Sequence, residues 1–301
     1  MPKSSGDGID FDVWGCRGSH NITPARSQIG NNTVCCSILK GEDLFVLDAG
    51  RGLLMLGNSM LEEKRFHDVK RIHVLVTHAH LDHWEGFKDV NWFWRRDNGI
   101  DLSINGNRQT LGAIRRGFAH PSYVPLDILA SGTVESLRFV SLRAGQDRTL
   151  GGFRVETFPL NHYSGDGASK QYLDTIGFRI SVDGGPSIAY LSDHEPTLAT
   201  REMEDEITSE STLAIFDAHF GSVAEHRYGH GSQEHAARMA RRHGKTQVLA
   251  YHLGPMYADL ELRRLFKRHG RGRSNFEMAR EGRTLSWSDR SKRFVATRNS
   301  R

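Results

Sequence analysis

The chain has little that points to a membrane or to an oxidising compartment. Only three cysteines occur in 301 residues, Cys16, Cys35 and Cys36. They are too few for a disulfide scaffold, and none belongs to a CxxC pair. Cys35 and Cys36 sit together in NTVCCSILK, which reads as a strand, so their side chains are expected on opposite faces as small buried thiols. No apolar run approaches the roughly 18 residues that a membrane span needs. The opening stretch MPKSSGDGIDFDVWG has no apolar core of signal-peptide type, so a cytoplasmic location is expected. Prolines number only eight, and no Pro/Ser-rich linker or internal repeat divides the chain. One domain over 1–301 is the expectation, with a basic C-terminal extension from about residue 260.

Charge of one sign is scarce overall and concentrated locally. The formal net charge is +4, but residues 260–301 hold thirteen Lys/Arg against four acids, a net +9. The remainder of the chain therefore carries −5. Such a segment is either a solvated face or a contact for phosphates, as is the RRGFAHPSY stretch. Hydrophobic residues at 38% and charged residues at 25% are the composition of a globular chain with a full core.

Short strands and helices can be read along this background. IDFDVWGCRG, TVCCSILKGEDLFVLDAG and RIHVLVTH read as strands, and GLLMLGNSMLEEK has helical spacing. A helix is predicted over LDHWEGFKDVNWFWRR, residues 81–96. Further strands follow at VESLRFVSLRAG, RTLGGFRVETFPLNH, DTIGFRISVDG, PSIAYLSDHE, STLAIFDAHF and TQVLAYHLGP. GSQEHAARMARRHG and DLELRRLFKRHG complete the helical readings. Strand clusters with interspersed helices suggest an α/β fold in which two sheets pack between helical layers, a four-layer αββα arrangement.

What the chain does have is histidine at strand ends. The stretch RIHVLVTHAHLDHWEGF places His78, His80, Asp82 and His83 within six positions after an apolar run. In extended backbone, residues i and i+2 share a face, so His78 and His80 can serve one ion. Asp82 and His83 follow the turn and can serve a second. His162 in FPLNHYSG, Asp193 in IAYLSDHE and His252 in VLAYHLGP each end another apolar strand. Ligands held at the ends of a rigid sheet are what a preorganised metal site requires.

HAHLDH resembles the HxHxDH signature of the metallo-β-lactamase fold, and the later His, Asp and His follow in that superfamily's order. WGCRGSHNITPARSQIGNNT, FVLDAGRG, FPLNHYSG and GHGSQEHAARMA resemble segments of its RNase Z and phosphonate-pathway phosphodiesterase branch, so the resemblance spans nearly the whole chain. It implies a first ion on His78, His80 and His162, a second on Asp82, His83 and His252, and Asp193 bridging them. Asp48 in LDAG would orient a ligand histidine by accepting its other ring N–H. Zinc is the default metal for such imidazole-rich sites, with manganese or iron as substitutes.

Several departures from the branch's pattern matter. FDAHF stands where RNase Z has HEAT, with Asp217 at the Glu position and His219 at the Thr position, and YHLGP has Leu253 for a second His. No Gly/Pro-rich insertion is present that would make a tRNA-gripping arm. The resemblance assigns catalytic roles to Asp82, to His230 as the proton donor to a leaving alkoxide, and to Asp217 as its holder. Ser232, two residues after His230, also reads as a helix N-cap. His194 and His219 are expected to line the pocket.

Three activities compete. The first is hydrolysis of a small or cyclic phosphodiester, where two ions activate water and neutralise the phosphate oxygens. The second is attack at a carbon centre of a lactone, thioester, amide or activated aryl compound. The third is redox di-iron chemistry, which in relatives of this fold goes with a replaced ligand or a fused electron-transfer domain. An RNase Z-like endonuclease is disfavoured by the missing arm. The expected partner is therefore a small-molecule phosphodiester, with nucleic acid not favoured, no membrane contact, and a homodimer conceivable from the relatives.

Overall fold

A computed structural model describes residues 8–20, 27–90, 92–95 and 99–299. Residues 21–26, within the opening glycine-rich loop, and residues 96–98 lie outside the described residues.

The chain forms two mixed sheets with helices on their outer faces. In order, the first part contributes β1 (Asp10–Gly15), β2 (Cys35–Lys40), β3 (Asp43–Leu47), α1 (Gly52–Glu62), β4 (Arg71–Val76), β5 (Asp101–Gly106), α2 (Arg108–Gly117), α3 (Leu126–Ala130) and β6 (Ser136–Ser141). The second contributes β7 (Asp147–Leu150), β8 (Phe153–Leu160), the hairpin strands β9 (Tyr163–Ser164) and β10 (Gln171–Tyr172), β11 (Thr175–Ser181), β12 (Ser187–Leu191), α4 (Arg201–Ser209), β13 (Leu213–Asp217), α5 (Gln233–Arg242), β14 (Gln247–Tyr251), α6 (Asp259–Gly270), β15 (Phe276–Met278), β16 (Arg283–Ser288) and β17 (Arg293–Asn299). Strand order is β17-β16-β1-β2-β3-β4-β5-β6 in one sheet and β15-β14-β13-β12-β11-β8-β7 in the other. This is the αββα architecture.

Strand composition explains the layers. RIHVLV, LAIFD and QVLAY are near-continuous apolar runs, as strands covered on both faces require. Correspondingly β3-β4-β5-β6 and β12-β13-β14-β15 pair in parallel, which forces a return connection between successive strands. The inter-sheet core holds Phe11, Cys36, Phe45, Phe178 and Tyr190, whereas Cys35 packs with Leu53, Leu56 and Phe87 on the outer side of the first sheet. The adjacent cysteines thus face opposite ways, as pleating demands.

Two features differ from the sequence reading. Over 81–95 the described residues form short 3-10 turns, Leu81–His83 and Glu85–Lys88, in place of a helix. Gly86 is the physical reason: a Cβ there would lie 2.1 Å from the Gly50 carbonyl oxygen, so the chain is pressed against its neighbour and held by Gly86 N–H donating to Ala49 O at 2.9 Å. The aromatic residues of this stretch anchor it to the core; Phe87 and Phe93 are buried.

The basic segment is built into the fold. It supplies α6, β15 and the pair β16–β17 on the edge of the first sheet. Because β14 and β15 are parallel, α6 must run back along the sheet. Lys267 and Arg268, in its last turn, therefore sit at the end opposite the strand termini that carry His252 and Asp217. Among the described residues no helix is long and apolar enough to cross a membrane.

Candidate metal centre

The site lies beyond the carboxyl ends of β4, β8, β12, β13 and β14, where parallel strands leave a crevice for loops. His78, His80, Asp82 and His83 follow β4; His162 follows β8; Asp193 follows β12; Asp217 ends β13; His252 follows β14. Three of the turns require unusual backbone. Asp48, Asp193 and His252 have φ of 55°, 57° and 52°, left-handed values that cost strain in non-glycine residues and concentrate at functional sites.

Asp193 stands at the centre. Its Oδ1 lies 3.2 Å from His83 Nε2 and 3.0 Å from His252 Nε2. Its Oδ2 lies 3.7 Å from His78 Nε2 and 3.6 Å from His162 Nε2. One group, His78, His80, His162 and Asp193, and another, Asp82, His83 and His252, each bring their donor atoms within 4.8 Å of one another. Nε2 of His78, His83 and His252 is buried with no hydrogen-bond partner. Native interiors rarely leave such atoms unpaired. Buried, converging imidazole and carboxylate donors of this kind fit divalent metal ions.

Outer contacts fix which nitrogen each ring turns inward. His162 Nδ1–H donates to the Gly229 carbonyl at 2.8 Å, which turns Nε2 inward, 3.1 Å from His80 Nδ1. Gly229 has φ of 73°, and a Cβ there would meet His162 Nδ1 at 2.6 Å, so glycine is required. His83 Nδ1 lies 2.8 Å from Asp48 Oδ2. Asp48 in turn accepts from Thr77 N–H at 2.9 Å and from the Tyr190 hydroxyl at 2.9 Å. Ser164 Oγ contacts His80 Nε2 at 2.9 Å.

The electrostatics are those of a site that calls for positive charge. Burial alone would raise the Asp193 carboxyl pKa, yet His252 and His83 hold it well below the usual range. Burial opposes charge on His252, yet Asp193 and Asp217 push its pKa up to about 10. By contrast, burial lowers the His162 pKa to about 3 and keeps His78 well below its ordinary value, so both rings are neutral donors.

Beside this cluster lies a second constellation. His230 Nδ1 is 2.9 Å from Asp217 Oδ2, and His230 is stacked on His219 at 4.3 Å with rings 12° apart. His194 N–H also donates to Asp217 Oδ2, at 3.1 Å. Behind it Glu204 accepts from Nε2–H of His194 at 3.0 Å and of His235 at 2.8 Å. Ser232 caps α5 through its side chain, accepting from His235 N–H at 3.2 Å. His219 lies near the site as expected, whereas His194 reaches it through its backbone.

Residues without any sequence signal also build the site. Thr77, Tyr190, Ser164, Glu204 and Ser19, whose N–H donates to Asp82 Oδ2 at 2.8 Å, sit in ordinary strand or loop contexts. Only the fold brings them inward. Elsewhere, a cavity of about 750 Å3 lined by Trp14, Met55, Arg65 and Glu281 contains none of these residues.

Residues 44–253 match the model of the Beta-lactamase superfamily domain. Among solved structures, the metallo-beta-lactamase fold protein YhfI from Bacillus subtilis aligns with a TM-score of 0.64 at 17% identity, over 94% of this chain and 100% of that one. A diphosphatase from the PhnP family gives 0.64 at 15% identity, over 93% and 97%. Human tRNase Z, short form, gives 0.61 at 15% identity, over 92% and 98%. These likenesses show a shared fold. A comparison with curated proteins gives no match.

Proposed function

The chain belongs to the beta-lactamase superfamily, whose members are in general metal-dependent hydrolases, and on that premise we propose a dinuclear phosphodiesterase acting on a small or cyclic phosphodiester. The observation that carries the reading is the Asp193 carboxylate, with one oxygen turned to His83 and His252 and the other to His78 and His162. A carboxylate presented in this way would be shared between two ions. His78, His80 and His162 would hold one, and Asp82, His83 and His252 the other, with zinc the proposed metal.

Bound divalent ions at such a site supply Lewis-acid chemistry, lowering the pKa of water and neutralising charge on phosphate oxygens. The chain's own residues supply the rest. Asp48 and the Gly229 carbonyl orient His83 and His162, so that their Nε2 atoms face inward. Asp217 accepts from His230 Nδ1–H and so orients His230, which in this reading delivers a proton to the departing alkoxide oxygen. An alkoxide is a poor leaving group and needs that proton, which favours an alkyl phosphodiester over an activated aryl compound or a thioester, whose leaving groups depart without one. Similarity to a diphosphatase and a tRNase Z supports hydrolysis at phosphorus.

The experiment is metal analysis of the purified protein paired with turnover of bis-p-nitrophenyl phosphate, cyclic nucleotides and lactones. Two equivalents of metal and preference for a phosphodiester are expected. Exclusive turnover of lactones would overturn the phosphodiesterase reading and leave the metal reading standing.

A further inference from the structure

Arg17 is among the largest fully buried side chains of the described residues, at 0% exposure, and the reaction described above makes no use of it. Its guanidinium is nonetheless tied on every side. Nε donates to Gly30 O at 2.8 Å, Nη1 to Tyr257 O at 3.2 Å, and Nη2 to Asp259 Oδ1 at 2.9 Å. Asp259 extends the clamp by accepting from the Ser27 hydroxyl at 2.7 Å and from Gln28 N–H at 2.6 Å. Burying a guanidinium is costly unless it is paired, so this clamp has one geometry that the surrounding chain must satisfy.

The backbone that leaves Arg17 runs directly into the metal centre. Leu253 N–H donates to Cys16 O at 2.8 Å and Gly18 N–H to Leu253 O at 3.0 Å, so the two strands of chain are stitched beside His252. A Cβ on Gly18 would lie 2.3 Å from the His252 ring, which means this backbone forms the wall against which the imidazole rests. The next residue, Ser19, has φ of 60° and directs its N–H to Asp82 Oδ2 at 2.8 Å. Two donors of one half-site, His252 and Asp82, are thus set by the pair of residues that follow Arg17. Neither Arg17, Ser19 nor Asp259 lies within residues 44–253.

We propose that Arg17, clamped by Asp259, is a positioning residue for the half-site of Asp82, His83 and His252, so that chain on both sides of the matched domain completes that half-site. The inference rests on the dinuclear reading. It predicts a selective effect: disturbing the clamp loosens one ion and spares the other, which His78, His80 and His162 hold from elements the clamp does not touch. Asp259 is the gentler position, because its side chain is 24% exposed whereas that of Arg17 is wholly buried.

The test titrates Zn2+ into the metal-free full-length protein and into Arg17→Lys, Asp259→Asn, Asp82→Asn and His80→Ala. Arg17→Lys and Asp259→Asn should each weaken one of two equivalents by about 10–100-fold, the range for an outer contact of a ligand. Combining Arg17→Lys with Asp82→Asn should add little further loss, since both act on one half-site. Combining it with His80→Ala should remove both tight equivalents. Equal weakening of both equivalents, or unchanged affinity in Arg17→Lys and Asp259→Asn, would overturn the proposal. A wild-type protein that binds one equivalent would instead overturn the dinuclear reading on which it stands.

Discussion

Oδ1 of Asp193 lies 3.0 Å from Nε2 of His252, although they are 59 positions apart in the chain, and Oδ2 of the same carboxylate faces the opposite histidines. Removing that charge with Asp193→Asn should eliminate turnover and lower bound metal from two equivalents to one or none. Elemental analysis beside an activity assay checks this. Two equivalents and full turnover in the variant would refute the bridge.

Asp48 is not among the proposed ligands, yet its Oδ2 lies 2.8 Å from His83 Nδ1. Asp48→Asn should weaken metal affinity about 10–100-fold while the ligand set remains complete. Activity should therefore recover as the metal concentration in the assay rises. A loss that no amount of metal restores would assign Asp48 another role.

His230→Ala should cost about 10²–10⁴-fold in kcat on a phosphodiester with an alkoxide leaving group. It should cost far less on bis-p-nitrophenyl phosphate, whose p-nitrophenolate departs without a proton. Rates compared across a leaving-group series decide the matter. Equal losses on all substrates would point to damage of the metal centre.

Removing metal should destabilise the protein markedly. Asp82, Asp193 and Asp217 are carboxylates collected in one buried region, and ions bound only by the folded chain add to its stability. A chelator should lower the melting temperature, and added Zn2+ should restore it. An unchanged melting curve would count against the proposed metal site.

Stability should also depend on pH through a group that is not among the proposed metal ligands. Burial pushes the Glu281 carboxyl up to about 7, against the hydrogen bonds it accepts from Asn32. In the unfolded chain the same group ionises near 4.5. The folded state therefore holds the proton more tightly, and stability falls as pH rises from about 4.5 through 7. Glu281→Gln should flatten that decline; melting temperatures of both proteins between pH 5 and 8 test it.

Much of this protein was legible in the amino-acid order alone. The runs RIHVLV, LAIFD and QVLAY declare strands covered on both faces, and each carries a residue able to bind metal at its end or within two positions beyond it: His78, Asp217 and His252. Strand-end position and residue chemistry are local properties, so His78, His80, Asp82, His83, His162, Asp193 and His252 could be named as candidates without a structure. The helix expected over 81–96 failed because apolar spacing cannot report that Gly86 is pressed against the Gly50 carbonyl. The helices α2, α3 and α4 went unread, being short and lying between better-marked strands.

What tertiary structure alone decided is the geometry among distant segments. Tyr190 reaches Asp48 across 142 positions, and Arg17 reaches Asp259 across 242. Neither pairing leaves a trace in composition or periodicity, because each arises only where two sheets and their loops close on one another. Residue type and local spacing determine what a side chain can bind; which oxygen of Asp193 faces which imidazole depends on the packing that turns the strands toward a common end.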